Sequence, residues 1–245
     1  YFALSGFYRY DEVPLQSGLP TEGYQMRGNF KHEFSDGNGE VKVFGQYIDD
    51  RVQFFLPLPL DGDTLERVEG ADGRTVYTVN TAQARNLTSI LPDGSRYNTP
   101  AEDGVSTKGG MIGIVLDRDL SDSVTLNVKT KWSRYDHQFN LFLDGDGIIN
   151  VPETQAAYLT NRGIAGPGTF TYVDSGQAVA PGTLVFANRI LNRDRPVTDF
   201  SAEANLGYKF DMGGATHNVT VGMWFARAEA DDNSLTQTYL AEFAN

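Results

Sequence analysis

The chain contains no cysteine, so it can form neither a disulfide framework nor a thiolate metal site. No stretch approaches the roughly 18 consecutive apolar residues that a membrane-spanning helix needs. Basic residues are the minority charge, because 20 lysines and arginines stand against 32 acidic residues and the formal net charge is −12. Nucleic-acid binding requires a basic surface, so we expect no nucleic-acid partner.

Histidine is also scarce, with three in the whole chain and no pair at a metal-ligand spacing. We assign none of them as a ligand. No Ser-His-Asp arrangement stands out, because the serines and aspartates have ordinary explanations in turns and on strand surfaces. The sequence therefore predicts no catalytic residue and no cofactor site, and we expect a protein that is not an enzyme.

Glycine and aromatic residues are plentiful, with 26 glycines and 12% aromatics, as in an all-β protein with many turns. Residues 22–34 read EGYQMRGNFKHEF and alternate, with Tyr24, Met26 and Phe30 opposite Gln25 and Arg27. Successive side chains of a strand point to opposite faces, so this strand has one apolar and one polar face. The apolar face points inward in a soluble sandwich and outward, to lipid, in a membrane barrel.

Period-two patterns of this kind predict seven strands. Some alternate imperfectly, and one is apolar on both faces. The predicted strands are 1–10, 22–34, 40–50, 109–118 (apolar on both faces), 123–135, 198–210 and 217–228.

The connections between these strands alternate strictly between short and long. Tight turns rich in Gly, Asp and Ser are predicted at 35–39, 120–122 and 211–216. A moderate loop at 11–21 and two very long loops, 51–108 and 136–197, form the other connections, and an irregular stretch is expected after residue 230. Alternate connections of an antiparallel meander lie at opposite ends of the sheet. Outer-membrane barrels show this asymmetry, with short periplasmic turns and long extracellular loops.

Strand length and aromatic placement favour the same interpretation. The predicted strands are about ten to thirteen residues long, which is enough for a tilted strand to cross a bilayer. Aromatic residues lie at both ends of the apolar faces, as in the girdles of a barrel. We therefore predict that Tyr24, Met26, Phe30 and Phe34 face lipid. The cations predicted to face a wet lumen are Arg27, Lys31, Lys129, Lys131 and Lys209.

The long loops contain a few local signals. Residues 52–62, which carry two prolines, are predicted to extend a strand above the membrane, and 73–80 to form a small hairpin strand. Residues 158–168 are predicted to begin as a short helix. In LDGDGIINVPE (143–153), oxygen donors cluster around glycines as in a calcium loop, although the spacing differs from an EF-hand and favours a surface turn. The candidate calcium ligands are Asp144, Asp146 and Asn150.

Four stretches together resemble the barrel of TonB-dependent outer-membrane receptors. They are YFALSGFYRYDE, GLPTEGYQMRGNFKHEF, SDGNGEVKVFGQYIDDRVQFFLPLPL and FSAEANLGYKFDMGGATHNVTVGMWFARAEADDNSLTQTYLAEF. The resemblance covers the chain apart from the middles of the two long loops. It rests on the pattern of strands joined by turns, and no catalytic signature contributes to it. It implies a 22-stranded barrel with an N-terminal plug domain, in the bacterial outer membrane. It also implies uptake of a scarce nutrient, such as a ferric siderophore, cobalamin or an oligosaccharide, with energy from the TonB complex.

The chain departs from the family pattern in having no plug domain, no TonB box and no closing strand that ends in an aromatic residue. We therefore expect residues 1–245 to be a partial barrel domain that supplies about a third of the wall of such a barrel. Two alternatives stay open. One is a passive outer-membrane porin or channel, and the other is a soluble secreted β-sheet protein that binds glycans.

Overall fold

The computed structural model describes residues 1–12, 17–54, 60–66, 88–98, 104–144, 146, 151–166 and 168–242. Within these ranges the chain forms eleven β-strands and one helix. The elements are β1 (Phe2–Asp11), β2 (Thr21–Glu33), β3 (Gly39–Val52), β4 (Thr88–Ile90), β5 (Arg96–Asn98), β6 (Val105–Ser121), β7 (Val124–Asp144), β8 (Glu153–Thr154), α1 (Gln155–Asn161), β9 (Leu184–Met212), β10 (Ala215–Ala230) and β11 (Asn233–Glu242).

Seven long strands form one antiparallel meander in the order β1-β2-β3-β6-β7-β9-β10. Each of the seven predicted strands overlaps one of them, so the expected all-β antiparallel sheet is confirmed. β8 and β11 both pair with the first half of β9, and β4 and β5 form a separate two-stranded sheet. In the described part of the chain, β1 pairs only with β2 and β10 only with β9, which leaves the sheet open at both edges.

The second long loop is shorter than predicted because β7 and β9 continue far beyond their predicted ends. Residues 136–144 and 184–197 were expected in this loop, but both segments are strand. Residues 136–144 pair with 188–196, for example Gln138 with Asp194, and 184–187 pair with β8 and β11. The connection between the two strands is therefore 145–183. The prediction was wrong here for two reasons. In 136–144 the apolar residues change to the odd positions, which breaks the pattern of 123–135, and in 184–197 both faces mix polar and apolar residues.

The irregular stretch expected after residue 230 is also largely strand. β11 continues the register of β10 along β9 without a shift, since Ala230 pairs with Val197 and Asn233 with Asp194. The interruption lies opposite Pro196, whose carbonyl accepts a hydrogen bond from the Asp231 amide at 3.1 Å. Proline has no N–H to return, so one ladder bond is missing and the strand is divided there.

The one helix of the described residues begins at Gln155, three residues earlier than predicted. Thr154 caps it, because its hydroxyl accepts a hydrogen bond from the Ala157 amide at 3.3 Å. The helix ends at Asn161, and Gly163, two residues later, has a φ of +63° and donates its amide to the Thr160 carbonyl. No helix in the described ranges is both long enough and apolar enough to cross a membrane.

The buried apolar side chains of the described residues lie at the long-loop end of the sheet and in the loops there, where β8 and β11 join β9. They are Leu19, Val179, Val185, Ala187 and Ile190. Elsewhere the described sheet is a single layer with exposed side chains on both faces. Two predictions for the first long loop fall outside the described residues: the strand at 73–80, and the part of 52–62 between 55 and 59.

Gly109 of β6 lies where two strands approach too closely for a side chain. Its φ is +149°, and a Cβ there would collide with the backbone carbonyl of Arg134. We expect Gly109→Ala to lower the free energy of unfolding by about 2 kcal/mol, because neither the φ nor the carbonyl can adjust cheaply. Thermal or denaturant unfolding followed by circular dichroism measures the change.

Gly113 of the same strand provides the matched control. The three heavy atoms nearest to a Cβ there all belong to the ring of Phe44, which is a side chain that can rotate away. Gly113→Ala should therefore cost about 1 kcal/mol or less. Equal losses for the two variants would contradict the proposed backbone clash at Gly109.

Candidate functional site

The pairing register assigns every residue of the seven-stranded meander to one of two faces. Directly paired residues of an antiparallel ladder share a face, as Tyr24 of β2 does with Tyr8 of β1. One face of the sheet therefore carries the even-numbered residues of β1, β2, β6, β7 and β9 and the odd-numbered residues of β3 and β10. We name this the apolar face and its opposite the polar face.

The apolar face carries a continuous band of large hydrophobic side chains across all seven strands. The described residues place no second layer over it, and Met223 is 73% exposed and Ile112 is 50% exposed. We name this set the apolar band. It includes Phe2, Leu4, Met26, Phe30, Val41, Val43, Ile112, Ile114, Leu116, Leu126, Val128, Leu206, Val219, Val221 and Met223, together with the aromatic residues at its two boundaries.

Aromatic rings bound this band on both sides. Toward the long loops the Tyr24 and Tyr47 ring centroids lie 5.9 Å apart, and those of Phe200 and Phe225 lie 6.2 Å apart. Trp132 lies between these pairs, on β7. Toward the short turns the boundary rings are stacked or edge-on to one another, and they comprise Phe34 with His32, Tyr208 with Phe210, and Phe210 with His217.

The long-loop boundary of the band runs obliquely to the rows of paired residues. On β10 it lies at Phe225, whose row passes through Ala202 and reaches β2 at Phe30. On β2 itself the boundary lies at Tyr24, six residues away (30 − 24). Six residues at about 3.4 Å over five strand spacings of about 4.8 Å give a strand tilt of about 40° relative to the band.

The five cations predicted to share a face do share one, since all lie on the polar face. Lys31 forms ion pairs with Glu40 and, at 3.2 Å, with Glu33. Lys131 pairs with Asp199 at 2.8 Å. The other three have no ion pair with any described residue, and these are Arg27, Lys129 and Lys209.

A bidentate ion pair fastens the short turn between β2 and β3 to β6. Arg118 donates Nη1 to Asp36 Oδ1 at 2.9 Å and Nη2 to Oδ2 at 2.5 Å, and its guanidinium lies 4.7 Å from the centre of the Phe34 ring. The Arg118 hydrogen bonds, with a further one from the Asn38 amide, lower the pKa of Asp36 to about 2. The pair holds the turn closed at the end of the sheet away from the long loops.

Of the three candidate calcium ligands, Asp146 is engaged by a buried arginine. Its carboxylate accepts a hydrogen bond from Arg162 Nε, while Arg162 Nη1 donates to Glu153 Oε2 at 2.7 Å. The guanidinium also lies 3.7 Å from the centre of the Tyr158 ring. Asn150 and the side chain of Asp144 lie outside the described residues. The described side chains include no group of three that could hold a metal ion, and the calcium site stays a prediction.

A second feature of the apolar face was missed by sequence reasoning. A groove of about 860 Å³ lies beside the long-loop boundary of the band, and we name it the charged groove. It contains the ion pairs Arg51–Glu22 and, at 3.0 Å, Lys108–Asp49. Its lining comprises Tyr8, Glu22, Gly23, Tyr24, Asp49, Arg51, Ser106, Lys108, Arg134, Asp136, Gln138, Asp194 and Pro196.

Every lining residue of the charged groove except Gly23 belongs to the apolar face by register. The signal that could have revealed it is a change along each strand. On β7, for example, the positions that share a face with Trp132 become Arg134, Asp136 and Gln138. The apolar face therefore changes abruptly from hydrophobic to charged on the long-loop side of the aromatic boundary.

Comparison with known proteins identifies no family for this chain. Neither a scan against models of protein families nor a search of curated proteins finds a match to this chain. The arrangement of the two faces is therefore the basis for any functional assignment.

The Arg162 cluster gives a direct test of how the β8–α1 segment is held. Side-chain exposures are 6% for Arg162, 9% for Asp146 and 6% for Glu153. Arg162→Ala removes a buried guanidinium that pairs with two buried carboxylates, so we expect a loss of about 3 kcal/mol in local stability. Hydrogen exchange of the α1 amides and proteolysis of the 145–183 connection measure that loss.

Arg96→Ala is the matched control for this cluster. Arg96 lies 3.9 Å from Asp174, and both side chains are mainly exposed, at 60% and 89%. Exposed ion pairs contribute little, so α1 exchange should not change in this variant. If the two arginine variants behave alike, the buried cluster does not hold the segment.

Proposed function

We propose that the chain is a wall segment of an outer-membrane β-barrel, with the apolar face toward lipid and the polar face toward the lumen. The observation that carries this proposal is the oblique apolar band. Strands in such barrels tilt by about 35–45°, so a band that follows the membrane plane must cross the strands at that angle. The band of this sheet implies a tilt of about 40°, a value that nothing in a soluble sheet requires.

The height of the band agrees with the same arrangement. On β7 it extends from Val124 to Trp132, which is about 27 Å along the strand and about 21 Å when tilted by about 40°. The lipid-facing band of an outer-membrane barrel is about 25 Å tall and is bounded by aromatic girdles on both sides. The soluble alternative would require another protein layer over the exposed band.

The strand extensions support a role in capture of a ligand outside the membrane. β7 continues for twelve residues beyond Trp132, to Asp144, and β9 begins sixteen residues before Phe200. These extensions and the β8–α1 segment form a wall that projects on the long-loop side of the band. In the proposed orientation this side is extracellular, since long loops mark the outside of such barrels.

Within the outer-membrane class, we propose a TonB-dependent receptor that imports a scarce nutrient, such as a ferric siderophore, cobalamin or an oligosaccharide. The strand-turn-strand resemblance and the long loops support it. The open edges also support it, because unpaired backbone groups must be satisfied by further strands in a bilayer. The unpaired lumen cations Arg27, Lys129 and Lys209 would meet carboxylates of a plug domain. A passive porin is the second candidate, supported by the same band.

Neighbouring residues of β10 provide a test of which face contacts lipid. Val221 lies on the apolar face and Thr220 on the polar face, at nearly equal depth. The chain has no cysteine, so Val221→Cys and Thr220→Cys can each carry an environment-sensitive fluorophore at one site. In the membrane-embedded protein, brominated lipid should quench the probe at 221 strongly and the probe at 220 weakly.

Thr130→Cys and Lys129→Cys repeat the comparison near the middle of the sheet, on β7. Lipid quenching should again follow the apolar face, at 130. Equal quenching at both members of each pair, or a protein that partitions into buffer without detergent, would overturn the membrane assignment and favour the soluble glycan-binding alternative.

The receptor and the porin differ in their energy requirement. Cells that express the protein carrying this chain are supplied with radiolabelled ferric siderophores, cobalamin or oligosaccharides, with and without a functional TonB. A receptor should import at least one of these probes only when TonB and the proton-motive force are present. Uptake that continues at the same rate without TonB would identify a passive channel.

A further inference from the structure

The charged groove is continuous with the lipid-facing surface, and we propose that it binds the saccharide head of a membrane glycolipid whose acyl chains lie on the apolar band. This inference rests on the proposed orientation of the apolar face. It assigns the groove a ligand of its own, on the outside of the wall and separate from any nutrient that passes through the lumen.

The position of the groove limits the kind of lipid. At β2 its lining begins at Tyr24, on the aromatic boundary, whereas at β9 it includes Asp194, six residues from the boundary residue Phe200. That separation is about 20 Å along the strand and about 15 Å in height at the tilt given by the band. A phospholipid headgroup layer is only about 5–8 Å thick, so the groove extends well beyond it. A head of several sugars has the required reach.

The charges of the groove favour hydroxyl groups over phosphate. Three cations and four carboxylates line it, so the formal sum is −1: the cations are Arg51, Lys108 and Arg134, and the carboxylates are Glu22, Asp49, Asp136 and Asp194. The groove has no excess of positive charge to pair with phosphate groups, so we assign it to the sugar hydroxyls of the head and not to its phosphates. A sugar hydroxyl both donates and accepts, so it is satisfied by guanidinium and carboxylate groups side by side.

Several of these polar groups are available to a ligand. Arg134, Asp136, Gln138 and Asp194 form no side-chain hydrogen bond or ion pair with any described residue. Asp136 and Gln138 lie two residues apart on one face of β7, and Asp194 pairs with Gln138 across the ladder. Tyr8 and Tyr24 add aromatic surface at the membrane side, suited to the C–H edges of a sugar ring. A volume of about 860 Å³ is that of a site for a ligand of several rings.

The test measures how much lipopolysaccharide the purified, membrane-embedded protein retains after exchange into phosphatidylethanolamine vesicles. The variants are Asp136→Ala and Gln138→Ala, each of which removes a hydrogen-bonding group from the groove. Each should reduce the retained glycolipid or its apparent affinity by about fivefold. Asp119→Ala is the charge-matched control, because Asp119 lies at the short-turn end of β6 on the polar face, and it should retain the wild-type amount.

Two further comparisons identify the ligand. Lipopolysaccharide with a complete core should bind more tightly than lipid A, and the core oligosaccharide released from lipid should bind much more weakly than either. Wild-type retention in both groove variants would overturn the proposal, as would equal binding of lipid A and core-bearing lipid. Equal binding of the free oligosaccharide would replace the lipid by a soluble glycan and would also overturn it.

The outcome is separable from that of the proposed function. If the fluorophore at 221 is quenched by lipid while the groove variants retain glycolipid normally, only the glycolipid site fails. If the fluorophore at 221 is not quenched by lipid, the membrane orientation fails and the glycolipid site fails with it.

Discussion

The hydrogen-bonded register of one continuous antiparallel ladder is the constraint on which the rest of this structure depends. If one strand slipped by one residue against its neighbour, its apolar side chains would move to the polar face of the sheet and its polar side chains to the apolar face. Six successive pairings, from β1 to β10, keep the apolar band on one side and Arg27, Lys31, Lys129, Lys131 and Lys209 on the other. The band, its aromatic boundaries, the polar face and the charged groove are all consequences of that register.

The sequence predicts the part of the fold in which the two faces differ chemically. Most of the long strands and the shared face of Arg27, Lys31, Lys129, Lys131 and Lys209 follow from alternation, and the tight turns follow from the Gly, Asp and Ser residues between the strands. Where the alternation reverses, as in residues 136–144, or both faces mix polar and apolar residues, as in 184–197, the pattern does not continue the predicted strands, and these segments were assigned to a loop. β11 was missed for a related reason, since its register is inherited from β10 and β9.

The charged groove illustrates a second limit of sequence reasoning. Its lining comes from six strands, and each contributes only one to three residues from positions next to the predicted apolar face. Only the pairing of those strands places Asp49, Lys108 and Asp136 in one row. Oxygen donors that are close in sequence, at 144–150, gave a stronger local signal, yet Asp146 serves as a counter-ion for Arg162.

The missing donor at Pro196 has a consequence for how this edge of the sheet opens. The hydrogen bonds of β11 and those of β10 are separated by a residue that cannot complete the ladder, so fraying that begins at Glu242 meets a boundary before it reaches the apolar band. Local opening can then be confined to a small cooperative unit on the long-loop side. β11 can then separate from β9 while β10 stays paired with it.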